Sequence, residues 1–197
     1  MSYIEHRTTV AVYSSLPAVS HLLVPVPTTA GYPQQRLHTL AATALAPMSQ
    51  AVQAALGFPL VSASGWRPHR WASREQYEQV LIAKYGSVSR GQLFLAFDSP
   101  HETGLACDFG CGGLMPVSAT IAQQKTTPLW RWLYTHASDF GWTPYEVEPW
   151  HWECWVPLDN YQSGAPAAPE PPPAEPLVCD PDTQCCEAPA DEPTSSG

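Results

Sequence analysis

The sequence predicts an α+β fold in which a small antiparallel sheet packs against a few helices, followed by a disordered C-terminal tail. Single helical patterns alternate with short strand patterns, without the βαβ rhythm of a parallel sheet. Hydrophobic residues make up 44% of the 197-residue chain, which is enough for a packed core. From residue 163 onward prolines and acidic residues dominate and aromatic residues are absent, which predicts extended and then disordered chain.

The first half of the chain predicts one long helix between short strands. Residues 8–26 alternate loosely between apolar and polar types, which predicts one or two short strands or an irregular arm. Apolar residues at helical spacing begin at Leu37, and Gly57 is a stop signal. Pro47 lies inside this run, so we expect a kink or a second helix there. A strand over residues 59–63 follows.

The second half predicts two further helices and the remaining strands. A capping-box pattern at Ser73 opens a helix that is expected to end at Gly86. Residues 104–109 predict a short strand. Residues 127–141 predict a helix that opens on Thr-Pro and stops at its final glycine. Residues 142–156 predict a hairpin or a pair of strands.

These patterns divide the chain into an N-terminal arm (1–36), a central domain (37–162) and an acidic, Pro-rich, Cys-containing tail (163–197). The tail carries seven acidic residues and no basic one. It is expected to be a tether for a partner or a solubilising end. Its cysteines leave open bridging between chains, metal capture or free thiols; they are Cys179, Cys185 and Cys186.

Composition excludes several classes of function. No apolar run approaches the roughly 18 residues that a membrane-spanning helix needs. A net charge of −9 with nine basic residues argues against nucleic acid as a partner. The N-terminus lacks a basic region followed by an apolar stretch, so we expect no Sec signal peptide and synthesis in the cytoplasm. Action outside the membrane would then require another release route.

Three segments concentrate groups that bind metals or transfer protons: Ser64–Arg67, Ser99–Asp108 and Glu148–His151. A catalytic zinc site needs about three protein ligands and a nearby carboxylate that accepts a proton from water. Two imidazoles and a carboxylate, from His101, Asp108 and His151, would meet the first requirement and leave the ion a net positive charge.

Glu148 is the candidate for the nearby carboxylate. It lies three residues before His151, a spacing that puts two side chains on opposite faces of an ideal strand. Pro149 interrupts the ladder between them and allows a bend. Each of these features is common by chance when it is taken alone.

Together the three segments resemble the zinc D-alanyl-D-alanine carboxypeptidase family, which includes vancomycin-resistance carboxypeptidases and phage endolysin peptidases. The pattern S-x-H-x-x-G-x-A-x-D at Ser99–Asp108 is followed about forty residues later by E-P-W-H at Glu148–His151. The sequence S-G-W-R at Ser64–Arg67 is similar to the family's S-G-Y-R block. More loosely, the resemblance extends from about Leu37 to Val156.

The resemblance implies a role for each candidate residue. The two histidines and the aspartate named above would hold one zinc ion on the sheet. Glu148 would act as general base and then as proton donor to the leaving amine. Arg67 would bind a substrate carboxylate or the developing oxyanion. Ser99 and Trp150 would contribute to substrate binding.

The implied activity is hydrolysis of a peptide bond in the stem peptide of bacterial peptidoglycan, by a monomer. D-Ala-D-Ala carboxypeptidase activity and endolysin-type L-Ala–D-Glu endopeptidase activity both remain open. The lack of a Sec signal favours a lysin released during phage lysis or by another route, or an enzyme that handles imported peptides. The alternative is a non-enzymatic recognition or wall-binding protein with a zinc site like that of Hedgehog domains.

Cysteines near the motifs permit a rival interpretation. Cys107, Cys111 and Cys154 together with His151 could form a structural zinc site. Strand alternation argues against it, because Cys107 would face away from Asp108. We therefore expect buried thiols, with a Cys107–Cys154 disulfide as the next option in an oxidising environment.

Overall fold

Antiparallel pairing organises the protein. Our computed structural model describes residues 8–109, 114 and 117–166. The strands in chain order are β1 (Leu23–Pro25), β2 (Arg36–His38), β3 (Ser62–Ser64), β4 (Ala106–Phe109), β5 (Trp142–Tyr145) and β6 (Glu148–Cys154). β1 pairs with β2, and the other strands form one sheet in the order β3-β4-β6-β5. All of these strand pairs are antiparallel.

The two central strands, β4 and β6, separate the core from the site. Cys107, Phe109 and Trp152 are at most 1% exposed and pack in the main hydrophobic cluster. Successive side chains of a strand point to opposite faces. Asp108 and His151 therefore lie on the other face of the sheet.

Helices cover the core face and connect the strands. In chain order they are α1 (Val10–Tyr13), α2 (Thr39–Leu56), α3 (Arg74–Tyr85), α4 (Val88–Gly91), α5 (Ile121–Gln124), α6 (Pro128–His136) and α7 (Leu158–Ser163). Single turns of 3₁₀ helix lie at Pro100–Thr103, Ser118–Thr120 and Ala137–Phe140.

Helix α2 forms as predicted, with one difference. His38 accepts a hydrogen bond from the Leu40 amide at its start, and Gly57 ends it in the left-handed region at φ +83°. The helix continues through Pro47, so the alternative of a second helix there is wrong. Pro47 has no backbone amide to donate, so one hydrogen bond of the helix is missing. Burial of Leu45 and Met48 in the core, on either side of the proline, offsets this loss and stabilises the continuous helix.

Helix α3 belongs to a second, smaller apolar cluster. Ser73 caps it by accepting from the amide of Gln76, as the capping pattern predicts. The Gln76 side chain accepts instead from the amide of Ala72, so the reciprocal half of the capping box is displaced by one residue. Tyr77 and Leu81 on this helix bury against Trp71, and the cluster forms one flank of the site.

From Thr8 onward the N-terminal segment packs on the rest of the domain. Tyr13 donates through its hydroxyl to the carbonyl of Val156, and Tyr161 donates to the carbonyl of Ser14. The expected strand or irregular arm over residues 8–26 is thus a short helix followed by β1.

The predicted α+β class with a small antiparallel sheet is confirmed. The tail predicted to be disordered lies outside the described residues from 167 onward. Within the described residues, no helix combines the length and apolar character needed to cross a membrane.

Candidate metal centre

Strand register brings two of the proposed ligands together. Asp108 of β4 lies directly opposite His151 of β6 in the antiparallel ladder. The Oδ1 atom of Asp108 is 3.1 Å from the Nδ1 atom of His151. The two motifs, which lie about forty residues apart in the sequence, are therefore neighbours across the sheet.

The third proposed ligand, His101, comes from the 3₁₀ turn before β4. Its Nδ1 atom lies 2.7 Å from the backbone carbonyl oxygen of Gly65, which leaves Nε2 directed at the other two ligands. Gly104 ends the turn at φ +73°, and a Cβ atom there would lie 2.8 Å from the amide nitrogen of His38. Only glycine fits this position without displacing the turn.

These three donor atoms fit a single zinc ion. The Nε2 atom of His101 is 3.1 Å from Nδ1 of His151 and 3.3 Å from Oδ1 of Asp108. Ligand atoms about 2.0–2.1 Å from a tetrahedral zinc lie about 3.3–3.4 Å apart. The observed triangle is close to one face of that tetrahedron, and it leaves the fourth corner for water or substrate.

Both histidines have partners at their outer ring nitrogens. Gly65 supplies a carbonyl to His101, and Glu153 places Oε1 3.2 Å from Nε2 of His151. Such partners set the tautomer and orientation of a metal-binding imidazole. Glu153 was not among the predicted site residues; its spacing two residues after His151, on the same strand face, is the signal that could have identified it.

Burial and neighbouring charges shift the pKa values of all three proposed ligands. Burial opposes ionisation of Asp108, but the neighbouring imidazoles hold the pKa of this carboxyl well below its usual range. Burial lowers the pKa of His101. Burial also acts to lower the pKa of His151, but hydrogen bonds to Asp108 and Glu153 outweigh it and raise that pKa to about 9.

Glu148 lies beside the triangle although it is on the same strand as His151. The pairing of β5 with β6 shifts register between Pro144 and Tyr145, so the stretch around Pro149 bulges. Glu148 and His151 consequently line one cavity, which agrees with the bend expected at the proline. Burial is the main cause that raises the pKa of Glu148 to about 7.

Two cavities meet at the site. The larger cavity, of about 740 Å³, has an aromatic wall that includes Tyr85 and Phe94. The smaller cavity, of about 520 Å³, is lined by Trp71 and by residues 8–11. The residues that line both include Arg67 and Glu148.

The structure also places the other predicted substrate-binding residues on these walls. Arg67 donates its backbone amide to the carbonyl of His101 at 3.4 Å, so its segment runs beside the 3₁₀ turn. Ser99 lines the smaller cavity, and Trp150 lines the larger one.

The two cysteines that the structure describes are not part of this cluster. Cys107 and Cys154 are buried free thiols, and Cys107 donates to the hydroxyl of Ser62 on the face opposite Asp108. Burial raises the pKa of Cys107 above its usual range and that of Cys154 to about 12, so both stay protonated. The rival cysteine zinc site would need His151, which faces Asp108 instead; Cys111 lies outside the described residues.

The fold and the site define an α+β protein with a hydrolytic centre for one metal ion. The sequence model of the D-alanyl-D-alanine carboxypeptidase family VanY matches residues 34–158. The chain therefore belongs to this family, in agreement with the resemblance seen in its motifs.

Solved structures with similarity to the chain include two of VanY proteins. One is a mutant of the vancomycin-resistance D,D-pentapeptidase VanY from the VanB-type cassette in complex with Zn(II), at 20% identity and TM-score 0.45, covering 76% of this chain and 86% of the other. VanYB in complex with D-alanine-D-alanine has 21% identity and TM-score 0.47, with coverage of 76% and 88%. The LD-carboxypeptidase LdcB has 26% identity and TM-score 0.39, with coverage of 72% and 80%. No curated protein sequence matches significantly.

Proposed function

We propose that this protein is a zinc-dependent hydrolase that cleaves a peptide bond in peptidoglycan stem peptides. The observation that carries the proposal is the triangle of His101, Asp108 and His151, with Glu148 on the walls of the cavities that these three residues line. Membership of the carboxypeptidase family supports the substrate class. When bound, zinc polarises a peptide carbonyl and lowers the pKa of bound water to about 7.

Glu148 is proposed to carry the proton. Its partly buried carboxylate lies on the wall of a cavity that His101 and His151 also line, where it accepts a proton from the attacking water. The same group then returns the proton to the amine that leaves. A recognition protein has no need of this carboxylate, and its desolvation would be a cost without a benefit.

Arg67 is proposed to hold the substrate. An arginine guanidinium donates in a planar fork that suits a carboxylate or an oxyanion. Because Arg67 lines both cavities, a stem peptide can extend from it along either one. Ser99 in the smaller cavity and Trp150 in the larger one are proposed as further contacts.

Mass spectrometry of muropeptides digested with and without a chelator tests the function. We expect cleaved products with the zinc-loaded protein and none after chelation. Loss of a terminal alanine alone would assign carboxypeptidase activity, whereas a cut between L-Ala and D-Glu would assign endopeptidase activity and favour a role in lysis. Binding to intact walls by the fully loaded protein without any released peptide would overturn the proposal in favour of recognition.

The working form is proposed to be a monomer with an arm, a central domain and a tail. One chain supplies every group of the proposed centre. Light scattering after gel filtration would measure the mass in solution. A tail-free variant ending at residue 162 that keeps its activity would support the proposed boundary between the central domain and the tail.

A further inference from the structure

We propose that Glu153 is a positioning residue for the metal ligand His151, and that the backbone amide of Thr8 holds Glu153 in place. The N-terminal segment would thus belong to the support of the metal centre. The inference rests on the proposed metal site, but it does not depend on which bond is cleaved.

Glu153 is buried at the back of the site. It is 2% exposed, and it points to the same sheet face as His151, two residues earlier on β6. One carboxylate oxygen lies 3.2 Å from the Nε2 atom of His151. The other oxygen accepts a hydrogen bond from the amide of Thr8. The two oxygens therefore bridge the metal ligand and the N-terminal segment.

This bridge selects one form of the imidazole. His151 turns its Nδ1 atom toward Asp108 and His101. Coordination through Nδ1 requires the ring proton on Nε2, and a carboxylate acceptor at that position favours that tautomer. A flipped imidazole ring, or the tautomer with its proton on Nδ1, would lose the hydrogen bond to the buried carboxylate of Glu153.

The N-terminal segment can hold the carboxylate because it is itself anchored. The amide of Leu16 donates 2.8 Å to the carbonyl of Glu102, next to the ligand His101. The hydroxyl of Tyr13 donates 2.7 Å to the carbonyl of Val156, just beyond β6. The segment from Thr8 to Leu16 thus contacts both the turn and the strand that carry histidine ligands.

Metal affinity of paired variants tests the proposal. Thr8→Pro removes the amide donor, whereas Thr8→Ala keeps it and is the matched control. We expect Glu153→Ala to weaken Zn²⁺ binding, measured by competition with a chromophoric chelator, by about 10–100-fold. Thr8→Pro should weaken it in the same direction, and Thr8→Ala should leave it unchanged.

A double variant separates this coupling from a general loss of stability. If Thr8 acts through Glu153, Thr8→Pro should add nothing to the loss of affinity in Glu153→Ala. The Co²⁺ absorption spectrum of each loaded variant reports ligand geometry, and unfolding of the metal-free proteins in urea reports folding. Should Glu153→Ala not fold, Glu153→Gln, which keeps an acceptor for the imidazole, replaces it and is expected to lose less affinity.

Unchanged affinity and spectrum in the folded Glu153 variant would overturn the proposal, as would fully additive losses in the double variant. Both readouts are independent of hydrolysis. If the native protein cleaves no muropeptide but its variants lose zinc affinity in this pattern, the proposed function is refuted and this inference stands.

Discussion

Asp108 and His151 face each other across the ladder of β4 and β6, with Oδ1 and Nδ1 3.1 Å apart. Backbone hydrogen bonds of the sheet therefore fix two of the three proposed metal donors before any ion binds. His101 lies on the preceding 3₁₀ turn, and the carbonyl of Gly65 orients its imidazole. A site whose donor atoms are already in place needs little rearrangement when the metal ion binds.

Zinc binding should release at least one proton near pH 7.5, and His151 supplies one of those released. In the metal-free protein the pKa of His151 is raised to about 9, so its imidazole is protonated there, whereas Asp108 is already ionised and His101 is neutral. A metal ligand must give up its proton. Calorimetry of zinc binding in buffers of different ionisation enthalpy measures the number released. A heat independent of the buffer would contradict the protonated state of His151.

Glu148→Gln should abolish turnover and leave the metal in place. The amide keeps the size of the side chain but cannot accept the proton, so we expect kcat to fall about 10²–10⁴-fold. Zinc content should stay at that of the native protein, because Glu148 is not one of the three donors. Glu146→Gln, a change at an exposed position two residues away, is the control and should keep full activity. Loss of zinc from the Glu148 variant would assign this residue to the metal instead.

The pH–rate profile should show an acid limb that belongs to Glu148. The pKa of this group is about 7 in the metal-free protein because of burial, and a bound cation nearby will lower it. Since the ionised form accepts the proton, activity should be lost as pH falls through that lowered pKa and should be full above it. Initial rates between pH 4 and 8 at constant metal saturation would measure the limb. A profile that is flat over this range would exclude Glu148 as the base.

Local patterns in the sequence were sufficient for the fold class and for the main elements. The helix caps at Ser73 and Gly57 follow from short-range chemistry, and the structure has both. Pairing of Asp108 with His151 was implied by a resemblance to known motifs, because spacing along the chain does not specify strand register.

Contacts between distant parts of the chain were beyond what the sequence could predict. Thr8 and Glu153 are 145 residues apart, and nothing in the pattern around either one indicates that they meet. A bend at Pro149 was expected, but the register shift beside Tyr145 that accompanies it depends on how two strands pair. Continuity of α2 through Pro47 is a third case, in which packing of the core outweighs a local preference.

Gly104→Ala should destabilise the protein and weaken its metal centre together. Gly104 has a φ of +73°, and an added Cβ would lie 2.8 Å from the amide nitrogen of His38, which is backbone and does not move freely. We expect about 1–2 kcal/mol from the dihedral strain and about 1–3 kcal/mol more from the overpacking. Because the Gly104 amide donates to the carbonyl of His101, displacement of this turn should also reduce zinc affinity.

Gly86→Ala is the matched control for this change. Gly86 also ends a helical turn, at φ +84°, but a Cβ there would meet nothing within 4 Å. It should therefore show only the dihedral cost of about 1–2 kcal/mol in urea unfolding and keep native zinc affinity, since it caps the C-terminus of α3, which carries none of the proposed ligands. Equal losses of unfolding free energy in the two variants would mean that the backbone at His38 yields, and that close packing does not hold the His101 turn in place.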